Sequence, residues 1–271
     1  CGVKVLEYSL GMGPVLWQKE SKKGTMISLR ALPIGGFCAM EGEDGDSDDP
    51  RAFSNAAAWK RFIILIAGAT MNFVLGVVVI ALIFAQAEAF AVPTIVRFMD
   101  GCPYQGEDAL MEGDTFYKIN GQRIYFSTDV GTYLARRTGD TSDITVIRDG
   151  EKITLEDYPM VPVEYIDEET GEAVMKYGFY FGTEEAGFGS KLRYTWYQSV
   201  DFVRQVWLGL EDLVTGAVGL KQMSGVVGIV DVIADVGTSS PTVYDALMNI
   251  AYITALIAVN LAVMNLLPIP A

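Results

Sequence analysis

FIILIAGATMNFVLGVVVIALIFA, residues 62–85, runs for twenty-four residues without a single charge. About 20 apolar residues cross the hydrocarbon of a bilayer as a helix, so this stretch predicts a spanning helix. A second, ALMNIAYITALIAVNLAVMNLL (246–267), is two residues shorter and equally uncharged. Buried helices of large soluble cores seldom stay free of charge for so many turns, which favours two spans over two core helices. Trp59, Lys60 and Arg61 precede the first span and only Glu88 follows it. The positive-inside rule then places residue 60 on the cytoplasmic side and the middle of the chain outside. The second span follows Asp245 and has no basic flank, so its direction rests on the need to return, with both ends of the sequence cytoplasmic. Residues 1–10 lack the apolar core of a cleavable signal peptide.

Composition narrows the function. The 271 residues are 51% hydrophobic with a positive mean hydropathy, and the formal net charge is −14. Six carboxylates crowd into EGEDGDSDD (41–49). No basic stripe exists to hold phosphate, so nucleic acid is excluded as a partner. Asp44, Asp46 and Asp48 alternate as calcium ligands do, but an EF-hand counted from Asp44 would need Gly where Asp49 stands and Glu where Asn55 stands. The run is predicted to be a solvated loop. Cys1, Cys38 and Cys102 are too far apart for a zinc ribbon or a redox pair. The sequence contains no histidine, which removes the commonest metal ligand and general base together. No catalytic residue and no metal ligand is expected within these 271 residues.

Between the spans the texture changes. TIVRFM (94–99), DITVIRD (143–149) and KITLE (152–156) are β-rich, and Asn120-Gly121 and Asp149-Gly150 are tight-turn signals. STDVGTYLARR (127–137) predicts one short helix. ALMEGDTFYKINGQRI (109–124) resembles the core of a PDZ domain, whose open sheet edge accepts an extended peptide as an added strand. Another small, partly open β-barrel is the competing reading. Further on, Leu192, Trp196, Val200, Val203, Trp207, Leu210 and Val214 recur at helical spacing, an amphipathic helix over 191–214. Its tryptophans suit a membrane interface, and packing on the β domain or the spans would use the stripe as well. QMSGVVGIVDVIA (222–234) adds a small-residue segment around Gly225 and Gly228. At the front, residues 2–43 alternate as paired strands do, with turns at Gly11 and Gly13 and a tip at SKKG (21–24). So apolar a sheet next to a span predicts membrane association, and an edge left open at LPIGGF (32–37) would be costly unless another peptide completes it.

The order of these features resembles the site-2 protease family of intramembrane zinc metalloproteases, in its bacterial branch with a PDZ insert, the regulator-of-sigma-E protease type. CGVKVLEYSLGMGP (1–14), ALPIGGFCAMEGE (31–43), WKRFIILIAGATMNFVLG (59–76), SGVVGI (224–229) and NLLPIP (265–270) carry the resemblance along the whole chain. Two departures stand out: GAT (68–70) and SGVVG (224–228) each lack a proline common in the family.

The resemblance implies an α+β membrane protein in five parts: a membrane-associated β-sheet and acidic loop (1–50), a first transmembrane helix (59–90), a PDZ-like extracytoplasmic domain (92–185), an amphipathic helix with a Gly-rich segment (190–242) and a second transmembrane helix ending in NLLPIP (243–271). It implies a multi-pass protein of the bacterial inner membrane that hydrolyses transmembrane protein substrates, with the bilayer and the substrate as partners. Zinc is implied for the complete parent only, bound by none of these residues: the family's His-Glu-x-x-His lies before the position of Cys1, and the aspartate of its Leu-Asp-Gly motif falls two residues beyond Ala271. Asn260 and Asn265 match family asparagines expected to hydrogen-bond an unwound substrate, unless they bond neighbouring helices instead. Gly35, Gly36 and Phe37 fall where the resemblance places a substrate-accepting edge. Two other classes remain: a catalytically inactive membrane-bound PDZ scaffold that binds peptides, and a transporter or sensor fragment, which the absence of ionisable residues in the spans disfavours.

Overall fold

A computed structural model of the chain describes residues 2–22, 24–43, 45, 47–166, 171–216 and 239–267, with the side chains of Met12 and residues 32–35 left undescribed. SGVVGI (224–229), the Gly-rich segment 222–234 and the PIP of NLLPIP lie outside the described residues. The chain divides into two units, Cys1–Val74 with Leu261–Ala271, and Leu75–Asn260.

In the first unit, strands β1 (Val5–Glu20) and β2 (Met26–Met40) are both long and both bent. Gly11 and Gly13 adopt φ of 85° and 81°, a left-handed backbone that any Cβ would strain, and there β1 changes course. Each strand thereby contributes two segments to one sheet. Tyr8 faces Cys38 on one side and Ile27 on the other, while Gln18 faces Ser28. The segment order across the sheet is therefore 36–40, 5–10, 26–30, 15–20, and residues 5–10 are interior. The tip closes through the Ser21 N–H to the Thr25 carbonyl at 2.8 Å. At the base, the Lys4 ammonium joins Glu41 and Asp49, each at 3.1 Å, and folds the acidic loop back onto the sheet.

Two helices are long and apolar enough to cross a membrane: α1 (Ala58–Ala85) and the last helix (Val243–Leu266), described below as α4 once the others are in place. Both begin before their uncharged runs do, because Trp59, Lys60, Arg61 and Asp245 sit on first turns that helical backbone tolerates.

The second unit holds a β domain. Strands β3 (Ala89–Phe98), β4 (Thr115–Ile119), β5 (Gln122–Arg123), β6 (Thr141–Arg148), β7 (Glu151–Pro159) and β10 (Phe179–Glu185) form one sheet in the order β10-β3-β4-β6-β7, with β5 on β4. A separate hairpin joins β8 (Val163–Ile166) to β9 (Ala173–Lys176). Asn120-Gly121 and Asp149-Gly150 turn with both residues at positive φ, which suits the twist of the strands they join. Helix α2 (Ser127–Ala135) closes a core of Ile95, Leu110, Phe116, Ile119, Leu134 and Ile144. Helix α3 (Phe188–Thr215) follows β10, and α4 (Val243–Leu266) ends the described chain.

One ion pair anchors the β domain. Asp114 of the Gly-Asp pair is fully buried, accepts bonds from Arg148 Nε and a terminal nitrogen at 2.7 Å each, and caps the Met111 N–H at 2.8 Å. Arg148 also reaches the Ala109 carbonyl. Removing one partner of such a pair strands the other charge, so Arg148→Met should cost about 3 kcal/mol, read as a lowered unfolding midpoint of the β domain. Asp114→Asn should cost less, since Arg148 keeps some contact with water.

Candidate functional site

The edge of the first sheet begins at the end of LPIGGF. Segment 36–40 pairs with residues 5–10 on one side, and among the described residues no strand pairs with its other side. Gly36 and Phe37 therefore belong to an edge segment, which Gly35 directly precedes. The sheet has two chemically distinct faces. Tyr8, Leu10, Ile27 and Leu29 are exposed, whereas Ser9 and Ser28 are buried. The Ser9 hydroxyl reaches the Gly11 carbonyl at 3.2 Å, and Arg30 gathers Ser9, the Gly13 carbonyl and Glu7 at 2.8–3.0 Å. The Ser28 hydroxyl and then the Arg30 guanidinium hold the Glu7 carboxyl below the usual carboxylate range. A small polar network thus fills the protected face, and the apolar face looks outward.

Arg30 is the residue that reading the sequence passed over. Its guanidinium lies 5.0 Å from the centre of the Phe37 ring, so it braces the one large side chain of the edge while holding Glu7 beneath it. The available signal was a lone arginine in MISLRALPIGGF opposite a lone glutamate in VLEYSLGMG, in two otherwise uncharged stretches. Gly36 has a different task. A Cβ there would come within 2.5 Å of the Ser9 carbonyl oxygen, so only glycine lets segment 36–40 approach residues 5–10 at pairing distance.

Asn260 and Asn265 are both exposed on α4, and neither amide has a hydrogen-bond partner among the described residues. Five residues of helix set them about 140° apart. The face of α4 that meets α1 is another one: a Cβ on Gly76 would meet Val259 at 2.6 Å and the Ala255 carbonyl at 3.2 Å, a close helix contact made by small residues. From the midpoint of Ala255 and Val259, Asn260 lies about 120° round the helix and Asn265 about 100° round the other way. Neither amide serves the packing of α4 on α1.

Among the described residues, no three side chains of His, Cys, Asp or Glu gather closely enough to hold a metal ion. A cavity of about 270 Å³ beside Arg123, Glu184, Arg193 and Tyr194, between the β domain and α3, contains none of the five candidate residues.

The edge gives a direct test. Gly36→Ala should destabilise the sheet by about 2 kcal/mol, because the added methyl has to push Ser9 aside. Phe37→Ala removes an exposed ring and should leave folding within about 0.5 kcal/mol of the parent, read by thermal unfolding in detergent. Phe37 is accordingly the better probe of what the edge does.

The model of peptidase family M50 matches residues 1–271. A protein of Clostridium acetobutylicum named as a candidate zinc metalloprotease is 34% identical over 281 residues, covering 99% of this chain and 75% of that relative. A counterpart from Clostridium perfringens is 30% identical, covering all of this chain and 76% of its own length. The regulator of sigma-W protease RasP of Bacillus subtilis is 29% identical over 254 residues, 93% of this chain and 57% of RasP. The chain belongs to peptidase family M50, the site-2 protease family.

Proposed function

We propose that this chain is the substrate-handling frame of an intramembrane zinc metalloendopeptidase that cleaves transmembrane protein substrates in regulated intramembrane proteolysis. The observation that carries the reading is the match to the family along the entire chain. It is joined by two helices long and apolar enough to cross a bilayer. The zinc that the family implies does not fit this donor set: histidine is absent from the sequence, and no carboxylate or thiol cluster gathers in its place among the described residues. The reaction is written here only as hydrolysis of a substrate peptide bond, and what can be assigned to these residues is the handling of the substrate backbone.

That handling follows from physical chemistry. A helical substrate satisfies its own N–H and C=O groups, and it must be extended before a protease can reach the peptide bond. In an apolar medium each released backbone group costs several kcal/mol unless it finds a new partner. The free side of segment 36–40 offers such partners as an added strand would use them. Asn260 and Asn265 supply amide groups that are exposed on α4 and have no hydrogen-bond partner among the described residues. An uncovered amide facing lipid is unfavourable, which supports a ligand that bonds it.

The same reading gives the remaining parts their roles: a membrane-associated sheet within 1–50, spans formed by α1 and α4, and a PDZ-like domain within 92–185 on the extracytoplasmic side of a bacterial inner membrane. The placement of Lys60 and Arg61 supports the orientation.

Full-length protein in detergent, mixed with a single-span membrane peptide, separates a protease from a peptide-binding scaffold. Cleavage that stops with 1,10-phenanthroline and returns with zinc is expected. Binding without cleavage, under conditions where the protein is folded and zinc-loaded, would make the scaffold the correct reading. Asn260→Leu and Asn265→Leu should each slow cleavage about five-fold, the worth of about 1 kcal/mol of hydrogen bonding, at unchanged expression and unfolding temperature. Unaltered rates in both would remove the asparagines from substrate binding.

A further inference from the structure

Helix α3 is built with its polar side inward. Phe188, Leu192, Trp196, Trp207 and Val214 fall within an arc of about 100° on the helix, and all five are exposed, Leu192, Trp196 and Trp207 by 57%, 59% and 54%. The buried side carries Thr195, Gln198, Ser199 and Asp201 together with the rings of Tyr194 and Phe202. In water the opposite arrangement would be expected, with the apolar stripe covered and the polar face solvated.

Specific contacts keep the helix from rolling over. Arg204 bonds Asp129 of α2 at 2.9 Å, contacts Asp201 and donates to the Arg123 carbonyl. Arg136, at the end of α2, grips Asp212 through two bonds of 2.7 and 2.8 Å. Thr195 and Ser199 return their hydroxyls to carbonyls one turn back, each at 2.8 Å, so they are satisfied without water. The stripe is therefore held outward by the fold of the β domain.

Its position supplies the occupant. Lys191 donates to the carbonyl of Ala85, the last residue of α1, at 2.7 Å. Tyr194 stacks on Phe90 at 4.3 Å, which in turn meets Phe84 of α1 at 5.2 Å. Phe202 meets Tyr252 of α4 at 5.2 Å. Helix α3 thus starts where α1 ends and passes beside α4, and Leu75, Val78 and Leu82 of α1 are exposed as the stripe is. Trp196 and Trp207, about three turns apart on one side, are the residue type that settles at the level of lipid headgroups. Six charges along α3, Lys191, Arg193 and Arg204 against Asp201, Glu211 and Asp212, cancel in sign and are too many for a span.

We propose that α3 lies in the plane of the bilayer interface at the Ala85 end of α1, with the Leu192–Trp196–Trp207 stripe in lipid and its polar side clamped to the β domain. The attachment is apolar, so it needs no anionic lipid. It rests on reading α1 and α4 as spans.

The test uses full-length protein in phosphatidylcholine nanodiscs, with Trp17, Trp59 and any tryptophan outside this sequence replaced by Phe, leaving Trp196 and Trp207. Lipid brominated near the headgroup should cut their emission about two-fold, more than lipid brominated near the chain ends, as expected for a helix 5–10 Å deep. Aqueous iodide should have little effect, and adding phosphatidylserine should change neither result. A control protein without Trp196 and Trp207 carries Leu75→Trp, about 15 Å along α1 from Ala85, and should respond most to the deep bromines. If that control fails, the spanning assignment is at fault. If it succeeds while Trp196 and Trp207 answer to iodide, or to neither quencher because protein covers them, the lipid-facing assignment of α3 is overturned.

Discussion

Polar groups in this molecule have to be satisfied from within, because the surfaces it turns outward are apolar. The pattern recurs in each element that is not part of the β domain. In the first sheet Ser9, Ser28, Glu7 and Arg30 bond one another while Tyr8, Leu10 and Leu29 look out. On α1, Phe62, Leu65, Met71 and Leu82 are exposed, and contact with α4 is reserved for Gly76, Ala255 and Val259. On α3 Asp201, Arg204 and Asp212 are folded in and the tryptophans out. In water such surfaces would draw the chain into aggregates; next to lipid they cost nothing, and the internal hydrogen bonds become the condition of stability. The β domain obeys the opposite rule, with an apolar core and charged loops, as a domain in water does.

Much of this was readable in the residues themselves. Long uncharged runs gave α1 and α4 because charge is what a bilayer excludes, and the first turns that carry Lys60, Arg61 and Asp245 fall inside the bounds 59–90 and 243–271 expected from the sequence. Asn120-Gly121 and Asp149-Gly150 marked hairpins because few other residue pairs take two successive positive φ values. The double pairing of β1 was not legible. It brings Tyr8 against both Ile27 and Cys38, contacts about 20 and 30 residues away that no local period encodes. The stripe of α3 was legible as a stripe, but periodicity says only which residues share a face. Which solvent that face meets was decided elsewhere, by Asp129, Arg123 and Arg136, none of them on the helix.

The same division holds at the candidate site. Gly35, Gly36 and Phe37 could be placed at an edge by their resemblance to a family pattern, but the reason Gly36 cannot be replaced, the Ser9 carbonyl, is a contact across strands. Arg30 escaped notice because a single charge in an apolar strand reads as an exception until its partner is known. With Glu7 below and Phe37 beside it, Arg30 stiffens the edge at the place where an added strand would run.

A stiff edge matters for the direction of the proposed reaction. Ordering a flexible strand and an unwound substrate together would carry two conformational costs, each roughly 1–2 kcal/mol per residue fixed. The sheet has already met one of them: residues 36–40 are held by pairing to 5–10, and Gly36 keeps the two backbones close. Only the substrate then loses freedom on binding, and the hydrogen bonds it gives up as a helix can be exchanged for bonds to a strand that does not move. An extended backbone is the form a protease requires, so a preformed edge biases the substrate toward the geometry of hydrolysis before any chemical step begins.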